Sequence, residues 1–242
     1  MAATAPKGWR NRMRDPSPPS EIRRLGAWAG VIGPALFVGV FTIEGFIRPG
    51  YDAASMFVSA LALGPRGAVQ ITNFIVFGIL LLLFARGVAD KFREGKASRA
   101  GPILLAIIGV SYLLSGPFVM DPVNVPMTQM SVHSRLHYFF GSIVFSLSPI
   151  TCFVFFRRFR ADPDWRSYQW WTLIAGAVSL AAVVLLSAGP TTAPRPPNGY
   201  NAWVGLIQRS ALIPFHVWLF TFALGLLRRT ARTSRTRVSS IA

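Results

Sequence analysis

Six long apolar runs constrain what this chain can fold into. Each run is about twenty residues, the length that an α-helix needs to cross the hydrocarbon core of a bilayer. A helix also satisfies its own backbone hydrogen bonds, which lipid cannot do for it. The sequence therefore predicts an all-α fold, a polytopic membrane bundle of six transmembrane helices. The predicted spans are residues 25–46, 68–88, 101–119, 136–156, 169–188 and 205–227.

The basic residues divide the predicted connections into two kinds. The chain carries 25 Lys and Arg against 9 Asp and Glu, a formal net charge of +16. Most of the basic residues lie in the two tails and in the second-to-third and fourth-to-fifth connections. By the positive-inside rule, this alternation predicts a disordered basic cytoplasmic tail at 1–24, a transmembrane domain at 25–229 and a second cytoplasmic tail at 230–242. The expected partners are membrane lipids of the cell membrane, and no motif for nucleic acid accompanies the charge.

Most side chains that could bind a ligand or take part in catalysis lie at the other ends of the spans, which are predicted to face outward. Ionisable groups inside spans are costly and usually face a cavity or a partner, so Glu44 and Arg209 are candidate partners across the bundle. Glu44 and Ser59 are also the candidate catalytic residues. The candidate binding residues are Asn73, Gln208 and Arg209. Arg209 would either reach the outer phosphates or bind an anionic headgroup inside the bundle.

Residues 121–137 read DPVNVPMTQMSVHSRLH and contain two of the three histidines of the chain. His133 and His137 are four residues apart, so on one helix they would share a face. With Asp121 and His216 they would form a ligand set suited to zinc. The alternative interpretation is structural: Asp121 would cap a turn or the next helix, and the histidines would form interfacial hydrogen bonds. The sequence leaves both interpretations open.

Several of these residues lie in motifs that resemble one known family. The chain resembles the bacterial membrane proteins grouped as domain of unknown function 998, over residues 25–229. The resemblance implies a six-helix integral protein of the cytoplasmic membrane and implies no established activity. Asp121, His133, His137, Gln208 and Arg209 fall on the motifs, whereas His216 falls on none. The motifs are RPGYD (48–52), LALGPRG (61–67), QITNFIVFG (70–78), FVMDP (118–122), HSRLH (133–137) and GLIQR (205–209).

Three functions are compatible with this pattern. The first is a protein that binds lipid or a membrane partner through a polar cavity at the outer face, since no catalytic signature is present. The second is a metal-dependent lipid hydrolase, in which zinc-bound water would be the nucleophile. The third is a small-solute or proton-coupled transporter, in which Glu44, Asp121 and His137 would titrate along a path. The sequence does not decide whether the protein is an enzyme.

Overall fold

Six α-helices account for most of the residues described in the computed structural model, which covers 20–122, 125–189 and 199–239. No strand occurs in those ranges, and the all-α prediction is confirmed. The predicted tail at 1–24 lies almost wholly outside the described ranges, whereas the last helix continues past residue 229. The helices are α1 (Glu21–Ile47), α2 (Gly67–Lys91), α3 (Ala100–Ser115), α4 (Val132–Ala161), α5 (Gln169–Ser187) and α6 (Val204–Ser239).

Five of the helices in the described part of the chain, all but α3, are long and apolar enough to cross a membrane. The third is equally apolar but has 16 residues, about 24 Å at the rise of an α-helix. Its predicted run extended to residue 119. The helix ends at Ser115 because Gly116 and Pro117 follow, and proline has no N–H to continue the hydrogen-bond ladder. With large apolar side chains such as Trp28 and Ile79 exposed on the outward faces, the chain is an integral membrane protein.

The helices form a closed ring. Each helix packs against the next in the sequence, and α6 packs against α1. Successive helices run in opposite directions, so the bundle has two distinct ends. We call the end that carries connection 48–66 and the described parts of connections 116–131 and 188–203 the loop end. The end that carries the short connections 92–99 and 162–168 is the basic end.

Small residues set how closely neighbouring helices approach. Gly26 on α1 faces Gly87 on α2, and a Cβ atom at Gly26 would lie 2.7 Å from the Gly87 Cα. Gly78 on α2 faces the α3 backbone, where a Cβ atom would lie 2.5 Å from the Leu113 nitrogen. Both contacts are backbone to backbone, which is the close approach that small residues allow in membrane helices.

At the basic end, a buried carboxylate joins the first two helices. Asp90, near the end of α2, accepts hydrogen bonds from Ser20 and Arg23 at the start of α1. Arg93 donates to the same carboxylate at 2.6 Å. A buried charge requires such partners, so this cluster fixes how α1 begins relative to the end of α2.

Candidate functional site

The first loop, residues 48–66, folds back onto the start of α6 and is held there by Arg209. The guanidinium donates through Nη1 to the carbonyl oxygens of Ala53 (2.8 Å), Met56 (3.1 Å) and Gly205 (3.0 Å). Through Nη2 it donates to the Tyr51 hydroxyl at 2.6 Å. Arg209 is only 9% exposed. Its donors are therefore engaged by the protein itself, rather than reaching a phosphate or facing an open cavity.

Gln208 holds the next part of the same loop. Its Oε1 accepts a hydrogen bond from the Val58 backbone N–H at 2.7 Å. Gly205 lies on the same face of α6, and a Cβ atom there would lie 2.5 Å from the carbonyl oxygens of Ala53 and Met56. The positions i, i+3 and i+4 share one helix face, which explains why the GLIQR motif combines a glycine, a glutamine and an arginine.

Glu44 pairs with Arg66, and the predicted Glu44–Arg209 partnership is wrong. The Glu44 carboxylate accepts from Arg66 Nε at 3.1 Å and also from Arg66 Nη2. Glu44 is buried, whereas the Arg66 side chain is 49% exposed. Arg66 immediately precedes α2, and its side chain reaches the end of α1. The carboxylate next to Arg66 raises the pKa of that guanidinium further, so the pair stays charged.

Two further groups stabilise the first loop. Burial raises the pKa of the Tyr51 phenol, and the neighbouring Arg209 partly opposes that shift. Hydrogen bonds from the Ser55 hydroxyl and the Ala54 N–H lower the pKa of Asp52. Asp52 is therefore ionised at neutral pH and closes a short turn within the loop.

Asn73 lies in the interior of the bundle and forms hydrogen bonds within the protein. Its Nδ2 donates to the Phe37 carbonyl oxygen on α1 at 3.1 Å and to Gln70 Oε1 at 3.3 Å. The Phe37 contact joins α1 to α2, so the predicted binding residue serves helix packing in this structure.

The stretch 121–137 forms the joint between α3 and α4. Asp121 accepts from the Ser131 N–H at 2.7 Å and from the Ser131 hydroxyl at 2.9 Å. Ser131 is the N-cap of α4, where its hydroxyl accepts from the Ser134 N–H. His137 Nδ1 lies 3.2 Å from the Ser115 carbonyl oxygen and 2.7 Å from that of Phe118. Asp121 and His137 thus satisfy backbone groups at the two helix ends.

The four candidate metal ligands do not come together. His133 is exposed beside the Phe118 ring, whereas His137 is buried against the end of α3. His216 lies at the centre of the bundle, where its ring stacks on Phe37 and its Nδ1 bonds the Leu212 carbonyl oxygen. In the described part of the chain, no group of three or more His, Cys, Asp or Glu is placed to bind a metal ion. The structure gives no geometric basis for the zinc hypothesis.

A cavity of about 330 Å³ lies at the loop end between α4, α5 and α6. Its walls come from the first half of α4, the last turn of α5, the first turns of α6 and the first loop. Its described lining residues are Phe57, Ser59, His137, Tyr138, Gly141, Ser142, Phe145, Ser146, Val183, Leu186, Ser187, Gly189, Tyr200, Val204 and Gln208.

A smaller recess of about 40 Å³ adjoins the cavity on its inner side. The recess reaches the aromatic centre of the bundle at Phe37, Phe74 and Tyr112. Five residues line both spaces and so mark the boundary between them. They are Ser59, His137, Gly141, Phe145 and Gln208.

In a comparison with known proteins, the match to one family covers the whole site. Residues 31–225 match the family described as "Protein of unknown function (DUF998)". The chain belongs to that family. No curated protein and no solved structure matches it. In this DUF998 protein the match includes every candidate residue from Glu44 to His216.

The sequence analysis of this DUF998 chain predicted a polar cavity at the outer face but named none of the residues on α4 between 138 and 146 that line the cavity described above, although one signal for them was present. Tyr138, Gly141, Ser142, Phe145 and Ser146 recur at helical spacing along one face of α4. Small and polar residues on a membrane helix usually face another helix. Here the last turn of α5 lies across the cavity from that face, so the stripe lines open space.

Proposed function

We propose that this protein binds a membrane lipid in the cavity between α4, α5 and α6. The observation that carries the proposal is the position of the cavity. Tyr138 and Ser142 on α4 and Ser187 on α5 line it and are themselves exposed. The cavity is therefore open sideways, between two membrane-spanning helices, where lipid would lie.

The way α4 and α5 pack supports a lateral opening. In the basic-end half, Gly176 on α5 lies so close to α4 that a Cβ atom would be 2.9 Å from Cys152 Cβ. Toward the loop end the two helices leave the cavity between them. A volume of about 330 Å³ is at the lower end for ligand sites. It would hold the polar end of a lipid and the first part of one chain, with the remainder in the bilayer.

Filling the cavity should displace the lipid without unfolding the protein. Gly141 lines the cavity, and a Cβ atom there meets no atom within 4 Å. We expect Gly141→Leu to fold, because leucine favours helix over glycine by about 1 kcal/mol, and to lose most of the lipid that copurifies with the wild type. Native mass spectrometry of protein released from mild detergent measures the bound lipid.

Gly39→Leu provides the matched control. Gly39 lies on α1, away from the cavity, and its Cβ direction is also empty. This variant should retain the lipid of the wild type. Equal lipid in Gly141→Leu and Gly39→Leu, with both folded, would contradict the proposal.

The protein's orientation is part of the same proposal. The basic end would face the cytoplasm with both termini, and the loop end with its cavity would face outward across the cell membrane. The only cysteine, Cys152, is buried, so background labelling should be low. We expect Ser55→Cys in intact cells to react with a membrane-impermeant maleimide, and Ser98→Cys to react only after lysis. The reverse pattern would place the cavity at the cytoplasmic face.

A further inference from the structure

Three polar side chains at the boundary between the cavity and the recess have hydrogen-bonding capacity that the protein does not use. Ser59 and Gln208 are buried, yet the Ser59 hydroxyl and the Gln208 Nε2 have no partner among the described residues. His137 uses only Nδ1, which faces two carbonyl oxygens. None of these three atoms is fully enclosed by protein, and all three residues line the same space, so the three positions are open to a ligand there.

The hydrogen-bonding character of these positions is determined by the contacts around them. Because the Gln208 Oε1 accepts from Val58, the open side of its amide is a donor. Because Nδ1 of His137 faces acceptors only, that nitrogen carries the proton, and Nε2 of the neutral ring is an acceptor. Ser59 can donate or accept. The boundary therefore offers one or two donors and one acceptor.

The same walls contain no counter-charge for an anion. No Asp, Glu, Lys or Arg is among the described residues that line the cavity or the recess. Arg209 is the nearest cation along α6, and its contacts are with the first loop. A phosphate or carboxylate placed at the boundary would be buried without a counter-charge, which is costly.

We propose that the cavity binds an uncharged lipid whose polar end carries a hydroxyl group beside a carbonyl oxygen, as in a diacylglycerol or a monoacylglycerol. This inference rests on the proposed lipid binding. The Gln208 amide and the Ser59 hydroxyl donate to the carbonyl oxygen, and the ligand hydroxyl donates to His137 Nε2. The recess has room for a group the size of a few waters, and the acyl chain leaves between α4 and α5.

Headgroup charge is tested with two photoreactive lipids that share the same diazirine-labelled chains, a diacylglycerol and a phosphatidic acid. Each is incorporated at equal mole fraction into vesicles that contain the full-length protein, and crosslinked peptides are identified by mass spectrometry. We expect labelling of α4 and α5 peptides by the diacylglycerol to exceed labelling by the phosphatidic acid by at least about tenfold. Equal or stronger labelling by the phosphatidic acid would overturn this inference and leave lipid binding intact. No labelling of these peptides by either lipid would overturn both.

The proposed hydrogen bonds to the lipid are tested with variants that retain the shortest hydrogen bond of His137 inside the protein. Ser59→Ala removes a hydroxyl that bonds no described residue. His137→Asn keeps an N–H for the Phe118 carbonyl oxygen and removes the Nε2 acceptor. Each should weaken diacylglycerol labelling about three- to tenfold, the value of one hydrogen bond.

Ser148→Ala is the matched control for these variants. Its hydroxyl donates to the Val144 carbonyl oxygen in its own helix and does not line the cavity. This variant should be labelled as the wild type is. If Ser59→Ala and His137→Asn both fold and are labelled as strongly as Ser148→Ala, the assigned hydrogen bonds do not exist and the inference is overturned.

Discussion

Replacing Arg209 by methionine is expected to lower the free energy of unfolding by about 3 kcal/mol, because part-buried acceptors lose a charged donor. The Ala53 and Met56 carbonyl oxygens belong to a loop with few other backbone hydrogen bonds nearby, and both accept from Arg209 Nη1. Methionine retains much of the apolar stem but donates nothing. The first loop should then be held to α6 only by the Gln208–Val58 bond and by the Leu206 N–H to Ala54 carbonyl bond. This weakening is measured as faster amide hydrogen exchange over residues 51–58 and a lower midpoint of thermal unfolding in detergent.

The size of this effect distinguishes an arginine that holds the first loop through hydrogen bonds from an arginine that only adds a charge to the surface. Arg135→Met removes an exposed arginine at the same end of the bundle, one without a hydrogen bond or ion pair to any described residue. It should change the unfolding free energy by no more than about 0.5 kcal/mol. Arg209→Lys should be intermediate, because a single ammonium cannot reach acceptors on both sides as the guanidinium does. Equal stability of Arg209→Met and Arg135→Met would show that the carbonyl contacts contribute nothing.

The helices could be predicted from the sequence because their length is set by the bilayer, and apolar runs of that length are visible without any tertiary information. The exception, α3, shows the limit of this reasoning. The apolar run continues through Phe118 and Val119, but Gly116-Pro117 ends the helix at Ser115. A prediction from hydropathy alone makes the span too long, because it includes apolar residues that lie beyond the end of the helix.

The candidate site was harder to predict because the partners of its key residues are mostly backbone atoms. The sequence indicated Gln208 and Arg209 as binding residues, and in the structure both are buried and form hydrogen bonds with the first loop. Their partners are an N–H and carbonyl oxygens of the first loop, which carry no side-chain signature. The cost of ionisable groups inside spans made Arg209 and Glu44 candidate partners, but in the structure Glu44 pairs with Arg66.

The histidine pair illustrates a second limit. A spacing of four places two side chains on one face of a helix, but only approximately and only within that helix. The role of each histidine depends on the groups that surround it in the fold. His137 points to the end of α3, where carbonyl oxygens lack helical partners, while His133 lies one turn earlier and is exposed. In this structure His137 alone connects the two helices, and the pair does not form a metal site.

The close contact of α2 with α3 leads to the second large expected effect. Gly78→Ala should lower the free energy of unfolding by about 2–3 kcal/mol. The new Cβ atom would lie 2.5 Å from the Leu113 nitrogen and 2.7 Å from the Gly109 oxygen. Both are backbone atoms, so no change of rotamer relieves the overlap, and the two helices must move apart. Thermal or denaturant unfolding in detergent, followed by tryptophan fluorescence, measures the loss.

Gly39→Ala is the control that separates the effect of this contact from the higher helix propensity of alanine. A Cβ atom at Gly39 meets nothing within 4 Å, so the substitution should stabilise α1 by up to about 1 kcal/mol. The two glycine-to-alanine changes should therefore alter the free energy of unfolding in opposite directions.

Separating α3 from α2 also moves Tyr112, which packs on Phe77 at 4.6 Å between ring centroids and lines the recess. Gly78→Ala should thus reduce lipid retention as well as stability, whereas a stable Gly78→Ala would mean that α2 and α3 are not held this closely.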